Sequence, residues 1–371
     1  MKVIIAAAGT GGHINPGIAI ANKIKKENKN SDIRFIATGK KLEEDLISNA
    51  GYKSYAIDAY GFSKSLKLSN IKKTFKTLKG FGQAKKILKD FKPDIVIGTG
   101  GYICGAVISS AKKLGIPTLL HESNAYPGLA IRMLSKKADT ILVGIEEAKD
   151  CLPKAKRVIY TGTPTKVEPI EMTKTKKNKL LKELCLNDKL PIVLIFGGSQ
   201  GAKKINDCVT ELLINKMNPN YQIIWATGQG QYDEIKKTLR DNNINIDKVD
   251  NTVILPYIYN MSEVMSISDL VVARSGAMTL TELALLSKPA VFIPLPSSKA
   301  NRQEDNARVF EKRGAASIIL NNEVNKDNLN EEIQKIISSK SKLREMSLAS
   351  KKMAVYNVED KIYDEIKRLV G

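Results

Sequence analysis

One unit occurs twice in this chain, and that repeat constrains the fold more than any other feature. A short apolar run, a glycine turn and an amphipathic helical stretch make up VIIAAAGTGGHINPGIAIANKI, and IVLIFGGSQGAKKINDCVTELL follows the same order. Gly197 of the second copy lies 188 residues after Gly9 of the first. Further apolar runs such as DIVIGTG, QIIWATG and LVVARSG alternate with charged helical stretches. Continuous apolar strands between helices are typical of parallel sheets covered on both faces. We therefore predict an α/β fold with two tandem, doubly wound, Rossmann-like domains.

The segment between the two copies has the composition of a linker. GTPTKVEPIEMTKTKKNK, residues 162–179, places glycine and proline breaks in polar sequence. We predict an N-terminal domain over residues 1–163, a C-terminal domain over 164–341 and a charged helical segment over 342–371. Doubly wound sheets bind ligands beyond the carboxyl ends of their strands, so we expect the ligand crevice where these ends of both domains meet.

The charge of the chain is large and uneven. The net charge is +20, and residues 1–160 hold 28 basic against 13 acidic side chains, whereas residues 161–371 hold 31 against 26. A surplus in the first half predicts an anionic partner, for which nucleic acid, an acidic lipid surface and a phosphorylated substrate are all open. The sequence has no apolar run long enough to span a membrane and no signal-peptide pattern. Its four cysteines are scattered, as is typical of reduced thiols in a cytosolic protein.

The first glycine turn delivers His13 to the predicted start of a helix. Glycines let a ligand approach the backbone, and a helix N-terminus offers N–H groups to an anion. The turn lacks the full spacing of the dinucleotide-binding fingerprint. Because a helix N-terminus disfavours an imidazolium, a neutral His13 at the mouth of a domain is a candidate general base. The alternative is a capping or core histidine.

Three more turns follow predicted strands. GTGGY, with Gly100, Gly101 and Tyr102, suggests a phosphate site on the acceptor side, although Tyr102 could equally pack in the core. In GGSQG, the hydroxyl and N–H of Ser199 can meet a diphosphate. In RSGAMTLTE, backbone donors can hold phosphate or sugar oxygens, and Glu282 could accept two hydrogen bonds from a ribose diol or lie as a solvated helix residue.

Amide side chains form a further group of candidates. Asn124 lies in HESNAYPG, and Gln303 and Asn306 lie in NRQEDNA, each after a predicted strand. An amide offers both a donor and an acceptor, which suits the recognition of sugar hydroxyls. Turn capping is the alternative role of these side chains.

Together, these motifs resemble those of the MurG-type glycosyltransferases of bacterial cell-wall synthesis. GTGGHINP, GTGGYICG, HESNAYPGL, TGTP, FGGSQGAKKIN, RSGAMTLTEL and NRQEDNA occur in the order and spacing of that family over nearly the whole chain. The family moves N-acetylglucosamine from UDP-N-acetylglucosamine to lipid I and so makes lipid II. The resemblance implies a GT-B fold with two domains facing across a cleft, an acceptor- and membrane-facing N-terminal domain, a C-terminal UDP-sugar domain, and a last helix that returns to the first domain.

The resemblance also implies roles for individual residues. Asn124 and Gln303 contact the sugar, Ser199 binds phosphate, the backbone of Ile258 faces the uracil, and Glu282 binds the ribose. Lys166 stands where the family often has an arginine, and a lysine lacks the planar fork of that side chain. The implied donor site comprises Thr10, Gly11, Gly12, Asn124, Lys166, Ser199, Ile258, Ala277, Met278, Thr279, Leu280, Thr281, Glu282 and Gln303.

The sequence predicts chemistry without a metal or another cofactor. It contains no Asp-x-Asp pair, and its two histidines are far apart. The charge of the leaving UDP must then be met by helix N-termini, by Ser199 and by a basic side chain. Inversion by a single displacement needs one base, for which His13 is the candidate.

Residues 61–92 are the candidate membrane surface, with ten lysines and one acidic residue, Asp90. We predict a peripheral contact with the anionic cytoplasmic face of the cell membrane. Alternatively, the apolar stripe packs on the sheet, and flanking side chains make the contact. The stripe comprises Leu68, Ile71, Phe75 and Leu78, and the flanking side chains are Phe62, Leu66 and Phe81.

Three other functions remain open at this point. A UDP-N-acetylglucosamine 2-epimerase would have the same tandem architecture but would need paired acid and base groups. A glycosyl-diacylglycerol synthase is a nearer alternative, against which the GTGGH and NRQEDNA motifs argue. A nucleic-acid binder could use the basic half, but the chain has no such motif and its few aromatic residues do not interleave with the basic run, so we predict no nucleic-acid partner.

Overall fold

A computed structural model describes residues 1–59, 68–167, 169–198, 200–245, 249, 251–296 and 302–371, and for residues 68–78 it describes the backbone. The chain divides into two compact units. Residues 1–166 and 355–371 form the first unit, and residues 167–354 form the second.

The first unit is built on a parallel sheet. Its helices, in chain order, are α1 (Gly11–Glu27), α2 (Lys41–Asn49), α3 (Leu68–Phe91), α4 (Ile103–Lys113), α5 (Leu129–Leu134), a 3₁₀ turn (Glu146–Lys149) and, from the end of the chain, α14 (Val358–Val370). Its strands are β1 (Lys2–Ala7), β2 (Asp32–Ala37), β3 (Lys53–Ala56), β4 (Ile95–Gly100), β5 (Thr118–Glu122), β6 (Thr140–Val143) and β7 (Val158–Tyr160).

The strand order puts a topological switch point between β1 and β4. In the described residues the sheet runs β3-β2-β1-β4-β5-β6-β7, with every pair parallel. The chain winds outward in one direction from β1 and in the other from β4. The loops that leave these two strands therefore diverge and open a crevice at the carboxyl edge, where doubly wound sheets bind their ligands.

Both faces of the first sheet are covered. Successive β1 residues point to opposite faces, so Ile5 packs with the core under α1, α2 and α14, whereas Ile4 packs with the core under α3, α4 and α5. Helix α14 buries Val358, Ile362 and Ile366, which recur every fourth residue and so lie on one side of the helix. The last helix is thus part of the core of the first unit.

The second unit repeats this architecture. Its helices are α6 (Lys174–Glu183), α7 (Lys203–Ile214), α8 (Gln229–Asp241), α9 (Met261–Ile267), α10 (Ala277–Leu285), α11 (Gln303–Lys312), α12 (Lys326–Ile337) and α13 (Lys340–Lys352). Its strands are β8 (Ile192–Phe196), β9 (Gln222–Ala226), β10 (Thr252–Leu255), β11 (Leu270–Ala273), β12 (Ala290–Phe292) and β13 (Ala316–Ile318). Within the described ranges these strands form a parallel sheet in the order β10-β9-β8-β11-β12-β13, whose switch point lies between β8 and β11.

The charged segment 342–371 is divided between the units. Helix α13 packs in the second unit, where Met346 joins the core and Ser350 donates its hydroxyl to Leu283 O over 3.2 Å. The chain belongs to the first unit only from Val355 onward. The two helices of the segment therefore have different structural partners.

Candidate functional site

The turn after β1 holds the His13 imidazole in one tautomer. Thr10 is the N-cap of α1, and His13 is the third residue of the helix. The ring nitrogen Nδ1 lies 2.8 Å from Ala8 O. A carbonyl oxygen can only accept a hydrogen bond, so Nδ1 is the donor, and in the neutral ring the lone pair is on Nε2. This is the state of an imidazole that is ready to take a proton at Nε2.

The turn after β4 packs against the same ring. Gly100 has φ +127°, and a Cβ added there would lie 2.4 Å from Cδ2 of His13. Thr99 donates its hydroxyl to His13 O over 2.7 Å. Only a glycine at this position lets the two turns approach each other this closely. The turns of the switch point therefore meet at the imidazole.

A buried carboxylate is hydrogen-bonded to the backbone of the turn after β1. Glu43 is fully buried and accepts the N–H of Gly9 at Oε1 over 2.8 Å. Its Oε2 accepts both the N–H and the hydroxyl of Thr38, each over 2.7 Å. The sequence analysis missed Glu43. The feature that could have predicted it is its position, since it is an acidic residue in the first turn of α2, just beyond the carboxyl end of β2.

The loop after β5 is organised by a second carboxylate. Glu122 accepts the backbone N–H and the side-chain Nδ2 of Asn124, both over 2.9 Å, and the N–H of Gly128 over 2.8 Å. Asn124 is half-buried and lies at the carboxyl edge of the sheet. Glu122 also went unnoticed in the sequence, although it adjoins the Asn124 motif.

The second histidine has a structural role. His121 is fully buried, and its Nε2 donates to Gly162 O over 3.1 Å. Burial lowers the pKa of His121 to about 4, so the ring is neutral at physiological pH. The hydrogen bond ties β5 to the segment that leaves the first unit.

In the second unit, the loop after β8 lies over a buried polar network. A Cβ added to Gly201 would lie 2.1 Å from Thr227 O, so a glycine is required for this contact. Beneath the loop, Asn206 donates to Thr227 O over 2.7 Å and accepts the indole N–H of Trp225 over 3.0 Å. The sequence analysis did not predict this network. Ser199, the predicted phosphate ligand of the loop, lies outside the described residues.

The turn after β11 leads directly into α10. Gly276 is the N-cap and has no side chain to bond the first N–H groups of the helix, which belong to Ala277, Met278 and Thr279. With no cap from Gly276, and with no other partner among the described residues, these groups can bind an anion. Leu280, in contrast, is buried and donates its N–H to Gly276 O over 3.1 Å.

Arg274 lies buried beside this turn. Its Nη1 donates to Ile293 O over 2.7 Å and to Pro294 O over 3.2 Å, and among the described residues its Nε has no hydrogen-bond partner. Burial lowers the pKa of Arg274 to about 10, which still leaves the guanidinium charged at neutral pH. The turn thus lies next to a positive charge that is held by carbonyl oxygens.

The start of α11 is joined to the same turn. Ser275 donates its hydroxyl to Gln303 O over 2.7 Å, and Leu295 donates its N–H to Gln303 Oε1 over 3.0 Å. Asn306 is fully buried and donates from Nδ2 to Ser275 O over 3.1 Å. The amide of Asn306 therefore lies in the interior and supports the turn, which corresponds to the capping role that was the alternative to reading a sugar.

Two tyrosines flank the predicted uracil position. Ile258 follows β10, and its side chain is buried in the second unit. Tyr257 and Tyr259 lie on either side of it with their ring centroids 4.9 Å apart, and 86% of Tyr259 is exposed. Ile258 as a whole is buried, whereas the two tyrosines are exposed at the surface. The sequence analysis missed both tyrosines.

The described part of the chain has neither a membrane-spanning helix nor a metal-binding cluster. No helix within it has the length and apolar character to cross a bilayer. The same residues contain no group of three or more His, Cys, Asp or Glu side chains that could hold a metal ion.

Comparison with known proteins identifies the family. The glycosyltransferase family 28 N-terminal domain matches residues 3–143, and the C-terminal domain of that family matches residues 192–362. The UDP-N-acetylglucosamine--N-acetylmuramyl-(pentapeptide) pyrophosphoryl-undecaprenol N-acetylglucosamine transferase of Acetivibrio thermocellus is 40% identical over 100% of this chain and 98% of its own length. The chain belongs to the MurG-type branch of glycosyltransferase family 28.

Solved structures agree with this membership in the MurG-type family. The crystal structure of Acinetobacter baumannii MurG is 28% identical, covers 99% of this chain and 100% of its own, and gives a TM-score of 0.77. A UDP-N-acetylglucosamine 2-epimerase from Neisseria meningitidis gives a TM-score of 0.66 over 99% of this chain and 100% of its own at 18% identity. The likeness to the epimerase is one of fold alone. The predicted family and the predicted GT-B class of fold are confirmed.

The predicted residues of the MurG-type site fall into two groups. In the first unit, the turn after β1 and the turn with Gly100, Gly101 and Tyr102 meet at the switch point, and Asn124 follows β5 at the same edge. Tyr102 is partly buried against the core under α4, which was the alternative to phosphate binding. Lys166 is exposed at the end of the first unit.

The other group lies at the carboxyl edge of the second sheet. There, Ile258 follows β10, the stretch from Ala277 to Glu282 follows β11, and Gln303 follows β12. Of the residues predicted for the membrane surface, Phe81 is partly buried against the core of the first unit, whereas Phe62 and Leu66 and the side chains of the apolar stripe lie outside the described residues.

Proposed function

We propose that this chain transfers N-acetylglucosamine from UDP-N-acetylglucosamine to the muramoyl sugar of lipid I and so forms lipid II in peptidoglycan synthesis. Full-length similarity to the Acetivibrio thermocellus transferase, whose name states this activity, supports the substrates. One observation carries the chemistry. The imidazole of His13 is held at Nδ1 by Ala8 O, with Nε2 left as a proton acceptor at the switch point.

In the proposed step, His13 acts as the general base of a single displacement. Nε2 takes the proton of the acceptor hydroxyl while the hydroxyl oxygen bonds to the anomeric carbon. The bond from that carbon to the diphosphate breaks, and UDP leaves with the electron pair. Because attack and departure occur on opposite faces, the configuration at the anomeric carbon is inverted.

The second unit is the proposed donor-binding domain. The diphosphate is stabilised by the N–H groups of Ala277, Met278 and Thr279, by the helix dipole of α10 and by the nearby positive charge of Arg274. Ser199, Thr281 and Lys166 remain predicted donor contacts. We propose Glu282 for the ribose, the Ile258 backbone for the uracil, and Gln303 and Asn124 for the sugar. This donor site requires neither a metal ion nor another cofactor.

The first unit is the proposed acceptor domain. Thr10, Gly11 and Gly12 lie where α1 begins and so can face the sugar and its leaving diphosphate. Gly100, Gly101 and Tyr102 are proposed for the acceptor diphosphate. The basic surplus of residues 1–160 supports binding to the anionic cytoplasmic face of the membrane, and the lack of a nucleic-acid motif in the sequence argues against a nucleic-acid partner. Sedimentation with vesicles tests this, because lipid binding that is unaffected by salt or by anionic lipid would contradict it.

Product analysis tests the activity. The protein is incubated with UDP-N-acetylglucosamine and a soluble lipid I analogue. The products are then separated, and their masses are measured by mass spectrometry. We expect the analogue to gain one N-acetylglucosamine and one UDP to be released for each transfer. Release of UDP-N-acetylmannosamine without any change in the analogue would instead identify an epimerase.

A further inference from the structure

The carboxylate of Glu43 lies beneath the His13 turn, and the role inferred for it rests on the proposed function. Ala8 O, which accepts from His13 Nδ1 over 2.8 Å, and the N–H of Gly9, which donates to Glu43 over 2.8 Å, belong to one peptide group. A planar peptide is polarised as a whole, so a hydrogen bond at its N–H strengthens its carbonyl as an acceptor. Imidazole, peptide and carboxylate therefore form one hydrogen-bonded chain.

The carboxylate itself is held in a fixed orientation. Both donors of Thr38, the residue after β2, bond to Oε2 of Glu43, which leaves Oε1 for Gly9. Glu43 lies in the first turn of α2, where the helix dipole favours a negative charge. It is fully buried, so water does not compete for these hydrogen bonds. The group is thus rigid, charged and aimed at the peptide that holds the imidazole.

We propose that Glu43 is the positioning residue for His13 and acts through the Ala8–Gly9 peptide. When Nε2 takes the proton of the acceptor, Nδ1–H becomes a stronger donor, and the bond to Ala8 O strengthens. The carboxylate at the other end of the peptide stabilises this change. Because the stabilisation grows in the transition state, it increases kcat and leaves the binding of UDP-N-acetylglucosamine nearly unchanged.

The Glu43→Gln variant removes the negative charge at the carboxylate end of this chain of hydrogen bonds. The amide has one acceptor oxygen and an NH₂ group that cannot accept from Gly9 or from Thr38. We expect kcat to fall about 10- to 100-fold, as for partners that orient metal-binding histidines, with KM for UDP-N-acetylglucosamine within about threefold. Glu44→Gln is the matched control, since it makes the same change at the next, exposed residue and should keep wild-type kcat.

A double-mutant cycle separates positioning from general support of the fold. In the His13→Ala background there is no imidazole to position, so Glu43→Gln should cause no further fall in kcat. An equal fall in both backgrounds, or wild-type kcat in Glu43→Gln itself, would overturn the inference. If Glu43→Gln does not fold, Glu43→Asp replaces it in the cycle, because the shorter carboxylate cannot reach both Thr38 and Gly9.

Histidine NMR gives an independent readout. The chain has two histidines, so ¹⁵N-labelled imidazoles give a simple spectrum that His13→Ala assigns. Wild type should give the Nδ1–H tautomer at His13, and Glu43→Gln should give a mixture of tautomers. A pure Nδ1–H signal in Glu43→Gln would contradict the inference. A wild-type protein without transferase activity would instead refute the proposed function, and an active His13→Ala variant would refute the role of His13 as the base.

Discussion

Gly100→Ala tests the contact between the two turns of the first unit. The new Cβ would lie 2.4 Å from Cδ2 and 2.8 Å from Cγ of His13. Ordinary contact begins at 3.4 Å, so the ring must move by about 1 Å, which breaks its bond to Ala8 O. A misplacement of about 1 Å in a reacting group costs about 10² in rate. The backbone at φ +127° also disfavours alanine, by about 1–3 kcal/mol of unfolding free energy.

The assay is the release of UDP with UDP-N-acetylglucosamine and a soluble lipid I analogue, at saturating concentrations of both. We expect kcat to fall about 10²-fold while KM for UDP-N-acetylglucosamine changes little, because the donor is held mainly by the second unit. Gly105→Ala in α4 is the control, since its Cβ meets nothing within 4 Å. A folded Gly100→Ala protein with kcat within threefold of wild type would refute the reasoning about His13.

Three other predictions follow from the two units. Transfer should persist in EDTA at the wild-type rate, and a complete loss that added divalent metal reverses would contradict the metal-free donor site. Glu282→Gln should raise KM for UDP-N-acetylglucosamine about 10-fold or more with little change in kcat, because a charged hydrogen bond to the ribose contributes about 1.5–3 kcal/mol. Between pH 6.5 and 4, His121 becomes protonated in the unfolded chain but stays neutral in the folded chain. The free energy of unfolding should therefore fall by about 3 kcal/mol as the pH decreases through this range. Urea unfolding followed by circular dichroism should lack this part of the pH dependence in His121→Gln, and an unchanged dependence would show that burial of this ring is not its cause.

The sequence predicted the sheets because their signal is local. The apolar runs around Ile5 and Ile195 are each followed at once by a glycine turn and a helix, so strand, turn and helix can be read in order. The candidate base was predicted for the same reason, since His13 adjoins its turn. Such contacts depend on neighbours in sequence and need no knowledge of strand order.

The contacts that the sequence analysis missed depend on strand order. Glu43 reaches Gly9 only because β2 lies next to β1, and 34 positions separate the two residues. Asn206 meets Trp225 for the same reason, across the β8–β9 pair. The burial of Asn306 is likewise invisible in the sequence, because nothing in its own segment indicates that α11 packs it against Ser275. A polar side chain gives no periodic signal of its burial.

The kcat of His13→Ala tests the central claim most directly. Measured with UDP-N-acetylglucosamine and a soluble lipid I analogue, it should lie about 10²-fold or more below wild type, with KM for the donor nearly unchanged. A turnover within threefold of wild type would show that another group takes the proton, and the account of the first unit would be wrong.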